Sequence, residues 1–254
     1  MSRAKAVKET DFDFENTFMP GLAIDMVIFG FHENKLKLLV LQYKKTGVFA
    51  LPGGFIRKDE NLNDAAKRVL RERTGLRNIY LEQFYTFGDL IRFDNRPMKR
   101  IMKGNGLEVS KDHWLLQRFV SVSYYALIDY KKAIPIPDIL SDGCAWYDLS
   151  AKPKLMMDHD LIVKRALNTL RENLDKKLIG FNLMPETFTM NELQSLYETV
   201  LDQKLLRTSF QRKMLNAGIL EMVAKKMTGG AHKAPYLYRF SKRKREIEGK
   251  ALMK

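Results

Sequence analysis

The chain has 254 residues, 45% of them hydrophobic, with a formal net charge of +14 and an isoelectric point near 9.7. That hydrophobic share supports a buried core and argues against wholesale disorder, while no apolar run approaches the roughly 18 residues that a membrane span requires. The single cysteine, Cys144, excludes an internal disulfide and a zinc framework of cysteines.

Residues 1–17 read as a polar tail, mixing Arg3, Lys5, Lys8, Glu9 and Asp11 with no apolar stretch, so no secretory signal is expected and the expected location is the cytoplasm. From Leu22 the pattern is β: an apolar strand over 22–31, a turn, and an alternating strand over 35–42. A short strand over 48–51 runs into Pro52-Gly53-Gly54, a turn signal. Residues 62–74 predict a helix, with Leu62, Ala66, Val69 and Leu70 on one face and Gly75 placed to end it. Strands are expected over 81–87, 119–128 and 144–148. Between the first two lies an insertion, about 90–117, rich in basic residues and methionine. Its Arg92, Arg96, Lys99 and Arg100 are open to three readings: contact with a phosphate, with DNA, or only with water. A helix over 160–174 places Leu161, Ile162, Ala166, Leu167 and Leu170 at helical spacing, and Gly180 and Pro185 then mark a boundary. His113, Trp114 and His159 are expected to pack or hydrogen-bond rather than to ligate.

Beyond the boundary the charge becomes one-sided: residues 181–254 hold 14 Lys and Arg against 7 Asp and Glu. A basic balance favours phosphate contacts with nucleic acid, through counterion release. Thr189-Met-Asn-Glu192 reads as a capping box, followed by Leu193, Leu196, Tyr197, Val200 and Leu201 on one stripe. Thr208-Ser-Phe-Gln211 reads as a second box opening a helix that ends at Gly218, with Phe210, Met214 and Leu215 inward. Strands over 219–223 and 236–240, joined through Gly229-Gly230, would form a wing.

Gly54, then Glu60 after five residues, then Arg68 after seven, with Leu70, Glu72, Gly75 and Leu76, resembles the Nudix signature over 23 positions. The resemblance implies an α/β/α sandwich and a family that hydrolyses nucleoside diphosphates linked to another group. Two positions depart from the pattern. The acid expected after Arg68 is Val69, and the second acid of the terminal pair is Arg73. Positions 69, 72 and 73 share a helical face, where active relatives gather carboxylates around Mg²⁺. An isopropyl group and a guanidinium that keeps its proton cannot replace them. No metal, cofactor or catalytic residue is therefore expected. Gly54, Arg57, Glu60, Arg68, Glu72 and Arg73 are read as a structural remnant or an effector pocket, with Glu60 and Glu72 pairing Arg68 and Arg73.

The run from Phe181 to Glu198 and the later Phe210-Gln-Arg-Lys-Met resemble the winged helix-turn-helix of NrtR-like, Nudix-related transcriptional regulators, a pattern that Asp158-His159 also fits. The resemblance implies a double-stranded DNA operator and a small effector such as ADP-ribose or a pentose sugar, with repression and activation both open. In a helix-turn-helix the second helix enters the major groove. Arg207, Thr208, Ser209, Gln211, Arg212, Lys213 and Asn216 are the expected contacts there, with Lys225, Lys226, His232 and Lys233 from the wing. The run Lys242-Arg-Lys-Arg245 reads equally as a loose basic tail or a DNA contact. Operator symmetry motivates a homodimer.

The expected fold is thus α/β, a Nudix-like α/β/α sandwich followed by a C-terminal winged helix-turn-helix. The expected parts are a tail at 1–17, an effector-sensing domain at 18–157, a linking helix at 158–180, a DNA-binding domain at 181–241 and a basic tail at 242–254. Two alternatives remain: a Mg²⁺-dependent Nudix pyrophosphatase of ADP-ribose type carrying a nucleic-acid module, and an RNA-binding or protein-interaction adaptor.

Overall fold

The structure, a computed structural model, describes residues 17–241 except 44, 78, 109, 176–182 and 227–233. Its centre is β1 (Phe18–His32), whose odd and even side chains enter different cores. Ile24, Met26 and Ile28 face one side, Val27 and Phe29 the other. Along most of its length β1 pairs in parallel with β6 (Val120–Ile128). On its opposite edge it pairs antiparallel first with β4 (Gly53–Arg57) and then with β2 (Lys35–Tyr43). β3 (Val48–Ala50) and β7 (Gly143–Asp148) add to β2, and β5 (Tyr80–Phe87) closes the other edge on β6.

One face is covered by α1 (Leu62–Thr74), which buries Ala65, Ala66, Val69 and Leu70 against Ile24, Met26, Leu39 and Tyr124. It ends as its sequence predicts, with Gly75 left-handed at φ 71° and its N–H donating to the Arg71 carbonyl. The insertion contributes α2 (Arg96–Gly104). The other face is covered by α3 (His159–Asn173) through Ile162, Val163, Ala166 and Leu170. The expected sandwich is present. Leu161, expected on the inward face, is instead half exposed, because the buried stripe runs one position further along the helix.

The C-terminal part is built from α4 (Met190–Leu201), α5 (Arg207–Asn216) and a three-stranded sheet. In that sheet β10 (Tyr236–Phe240) lies between β9 (Leu220–Lys225) and the two-residue β8 (Phe188–Thr189). Thr189 caps α4 as expected: its hydroxyl accepts from the Glu192 N–H, and the Glu192 carboxylate accepts from the Thr189 N–H. The second capping box does not form. α5 begins at Arg207 with Leu206 extended at the cap, because the Glu198 carboxylate accepts the Leu205 N–H and sets the start of the helix two residues early. Leu215 is also corrected: it is 44% exposed, and α5 buries only Phe210 and Met214.

The insertion was the part whose structure the sequence left open. It is built into the fold: Arg92, Ile101, Met102, Trp114, Leu115 and Leu116 are all buried, while Leu90 and Ile91 are exposed. Phe55 stands edge-on to Trp114 with ring centroids 4.6 Å apart, so the insertion has a small aromatic core of its own on the end of the sheet.

Candidate functional site

The box residues meet at the junction of β4 and α1. Arg68 is the hub. Its Nε and Nη2 donate to the two Glu60 oxygens at 3.0 and 2.5 Å, Nη2 also donates to the Phe55 carbonyl at 2.7 Å, and Nη1 lies 3.3 Å from Glu72. A second Glu60 contact, with the Arg57 N–H at 2.8 Å, folds the loop back on itself. The hydrogen bonds from Arg68 hold the Glu60 carboxyl below its ordinary range, and Glu60 in turn keeps the guanidinium charged.

Val69 is fully buried. It packs on Gly54, where an added Cβ would fall 2.7 Å from a Val69 methyl. The glycine is therefore required by the valine's packing. Arg73 does not pair with Glu60 or Glu72, correcting that expectation. It turns to the opposite side, 3.9 Å from Asp138 and 3.5 Å from the Gly53 carbonyl, while its own carbonyl accepts from the Ile136 N–H. A divalent cation needs several anionic oxygens free to coordinate it. Here Glu60 and Glu72 share one guanidinium and the third position is an aliphatic side chain, so the donor set does not fit Mg²⁺. Among the described residues no group of three His, Cys, Asp or Glu side chains is placed to hold a metal.

A second polar cluster lies deeper. Arg92 of the insertion is buried between two carboxylates, donating to Asp25 of β1 at 2.8 Å and to Asp158, at the start of α3, at 2.6 Å. Burial disfavours its charge, but the two carboxylates outweigh this and raise its basicity. His159 lies alongside: its Nδ1 accepts the Leu51 N–H at 3.0 Å and its Nε2 is 3.7 Å from Asp25. Burial lowers the imidazole's affinity for a proton. This cluster ties together the insertion, the central strand and the helix leading to the C-terminal domain.

On α5 the inward residues are fixed by Phe210, which stands edge-on to Tyr197 of α4 at 5.1 Å. That anchor leaves Arg207, Thr208, Ser209, Arg212, Lys213 and Asn216 exposed and Gln211 half-buried. Arg207 and Arg212 have no ion-pair partner among the described residues. Lys213 does: it donates to Asp175, just after α3, at 2.7 Å. On the wing, Lys225 sits 5.6 Å from the Tyr236 ring and Lys226 pairs with Glu192 at 3.4 Å. His232, Lys233 and the run 242–245 lie outside the described residues.

Comparison with known proteins matches the NUDIX domain over residues 19–163 and the NrtR DNA-binding winged helix domain over residues 180–240. The ADPR responsive transcriptional repressor NtrR of Acinetobacter baylyi is 32% identical over 229 residues, covering 87% of this chain and 82% of that protein. The chain belongs to the NrtR family. Among solved structures, Shewanella oneidensis NrtR complexed with a 27mer DNA superposes with a TM-score of 0.67 at 28% identity, over 87% of this chain and 93% of that one. A MutT/nudix family protein of Enterococcus faecalis shares the fold, with a TM-score of 0.63 at 20% identity, over 91% of this chain and 90% of that one.

Within this NrtR-family chain, the sequence reading left Arg92 unassigned among phosphate, DNA and water. Its partners are 66 and 67 residues away in sequence, beyond the reach of any local pattern. One signal was available: Asp25 interrupts an otherwise apolar strand, and a carboxylate buried there requires a cation.

Proposed function

We propose that the chain is a ligand-responsive DNA-binding transcriptional repressor that senses ADP-ribose or a related effector without hydrolysing it. Residues 18–157 form the sensing domain, 158–180 the linking segment that contains α3, and 181–241 the DNA-binding domain. Arg207, Thr208, Ser209, Gln211, Arg212, Lys213 and Asn216 contact the duplex, with Lys225, Lys226, His232 and Lys233 along its backbone. The supporting observation is a contrast within one chain: the box acids are consumed by Arg68, while α5 presents free guanidinium and hydroxyl groups on a helix anchored by Phe210. Those are the groups that donate to phosphate oxygens and read guanine. A relative that is an ADPR responsive repressor over most of both lengths supports the effector and the sign of regulation.

The protein acts as a homodimer in the cytoplasm, since two recognition helices must reach half-sites about 34–36 Å apart. Among the described residues no helix is long and apolar enough to cross a membrane. The pyrophosphatase alternative is disfavoured by Val69 and by the Arg68 ion pairs.

Fluorescence anisotropy with the duplex upstream of the protein's own gene, against a scrambled duplex, tests the reading with and without ADP-ribose. Specific binding released by ADP-ribose is the expected result, with no AMP formed when Mg²⁺ is added. Equal, weak binding to both duplexes together with Mg²⁺-dependent AMP release would replace the repressor with a hydrolase.

A further inference from the structure

The turn between α4 and α5 is braced from α4. Both backbone groups of Leu205 are held: its N–H donates to the Glu198 carboxylate at 3.0 Å, and its carbonyl accepts from the Gln194 amide at 3.0 Å. Gln194 also donates to the same Glu198 oxygen at 2.9 Å, and Lys204 donates to the other at 3.0 Å. The Leu205 N–H, with Gln194 and Lys204, holds the Glu198 carboxyl down at about 2, so the brace keeps its charge at neutral pH. Leu206 follows directly, its carbonyl accepting from the Phe210 N–H at 2.9 Å.

The fold does not ask for a leucine at this position. The Leu206 side chain is 78% exposed. It occupies the N-cap of α5, where Ser, Thr, Asp or Asn would accept one of the free N–H groups of the first turn, and α5 has no side-chain cap. An apolar group is thus left in water and a cap is forgone, two small costs that so exposed a side chain does not offset. Leu206 stands instead beside Arg207, Thr208 and Ser209, all exposed, at the end of α5 whose side chains meet base edges in the major groove.

We infer that Leu206 packs against the 5-methyl group of a thymine in the operator and makes the repressor specific for that base pair. The thymine methyl is the apolar mark that a base pair shows in the major groove, and an apolar side chain reads it. The polar groups around Leu206 donate to phosphates and to acceptor atoms of the bases, and none of them senses a methyl group. Apolar groups touch only within about 4.0–4.5 Å, so a methyl reader has to be held in place. The brace on Leu205 does this from one residue away. The inference rests on the reading of the chain as a DNA-binding repressor, and it names one base contact within that reading.

The test is fluorescence anisotropy with the full chain on the duplex upstream of its own gene. The same duplex is also made with uracil in place of every thymine, and then of one thymine at a time, which removes the methyl and keeps the hydrogen-bonding edge. The wild type is expected to bind the uracil duplex about fourfold or more weakly, with the loss traced to single thymines. Leu206→Ala should bind the thymine duplex about fourfold or more weakly, lose nothing further on uracil, and melt at the wild-type temperature. Leu206→Met, which keeps an apolar reach, should recover most of the preference for thymine. Wild-type affinity in Leu206→Ala would overturn the inference. So would an equal loss on the thymine and uracil duplexes, or a lowered melting temperature that accounts for the loss, since either assigns Leu206 to holding the helix. Those results leave the repressor reading standing, because the wild type still prefers its own duplex to a scrambled one. A wild type without that preference would fail the repressor reading and this contact together.

Discussion

Two arginines of α1 and two of α5 are used in opposite ways. On α1, Arg68 is 12% exposed and makes contacts to two carboxylates and a carbonyl, and Arg73 is turned toward Asp138 and Gly53. On α5, Arg207 and Arg212 are exposed and unpaired among the described residues. A guanidinium surrounded by its own chain's acceptors builds the fold, whereas one held out by a packed neighbour waits for another molecule. The same side chain thus reports structure in one place and recognition in the other, and burial and partners decide which.

The contrast breaks most visibly at Arg92. Arg92→Ala leaves Asp25 and Asp158 facing each other without a cation inside the protein, a loss of about 3–5 kcal/mol, read as a lower urea midpoint. If stability were unchanged, the buried ion pair would not hold the insertion to the sheet. Arg68→Ala should cost less, about 2–3 kcal/mol, because Glu60 and Glu72 regain water on one side. That difference also depends on pH. Glu60 is held below its ordinary value of 4.5, so its contribution is complete above that value and disappears as the pH falls through the lowered one. The wild type and Arg68→Ala curves should accordingly converge in acid; parallel curves would assign the stabilisation to the contact with Phe55 alone. The smallest effect on stability belongs to Arg212→Ala, where melting should be unchanged while duplex affinity falls roughly 10- to 100-fold. Lys213→Ala separates further, since Lys213 is shared with Asp175. A loss of affinity equal to that of Arg212→Ala would show the pair opening when DNA binds.

The elements legible in the sequence are those with a local cause. A continuous apolar run marked β1, alternation marked β2, Gly75 closed α1, and Thr189 with Glu192 opened α4, since each pattern lies within a few residues. The box substitutions were legible too, because Val69 and Arg73 alter charge at positions where charge matters. The insertion was not. Its short helical pieces carry too little periodicity to reveal a face, and its reason for being ordered is a carboxylate more than sixty residues away. The second capping box failed for a related reason: Glu198, from the preceding helix, set the start of α5. Leu161 and Leu215 fit their helical spacing but sit at the margin of a buried stripe, where only the neighbouring elements decide.

The apolar interior runs without a break from Val27 and Phe29 of the sheet, through Leu170 and Leu174, to Tyr197 and Phe210 beneath the recognition helix. The Thr199 hydroxyl also reaches the Asn34 carbonyl across the junction at 3.1 Å. The winged helix is therefore packed on the Nudix-like domain through this shared interior. Swinging it free would expose apolar surface to water, so a rearrangement that keeps this interior closed costs less than one that opens it. By the same token the two halves should share a single melting event rather than come apart in sequence.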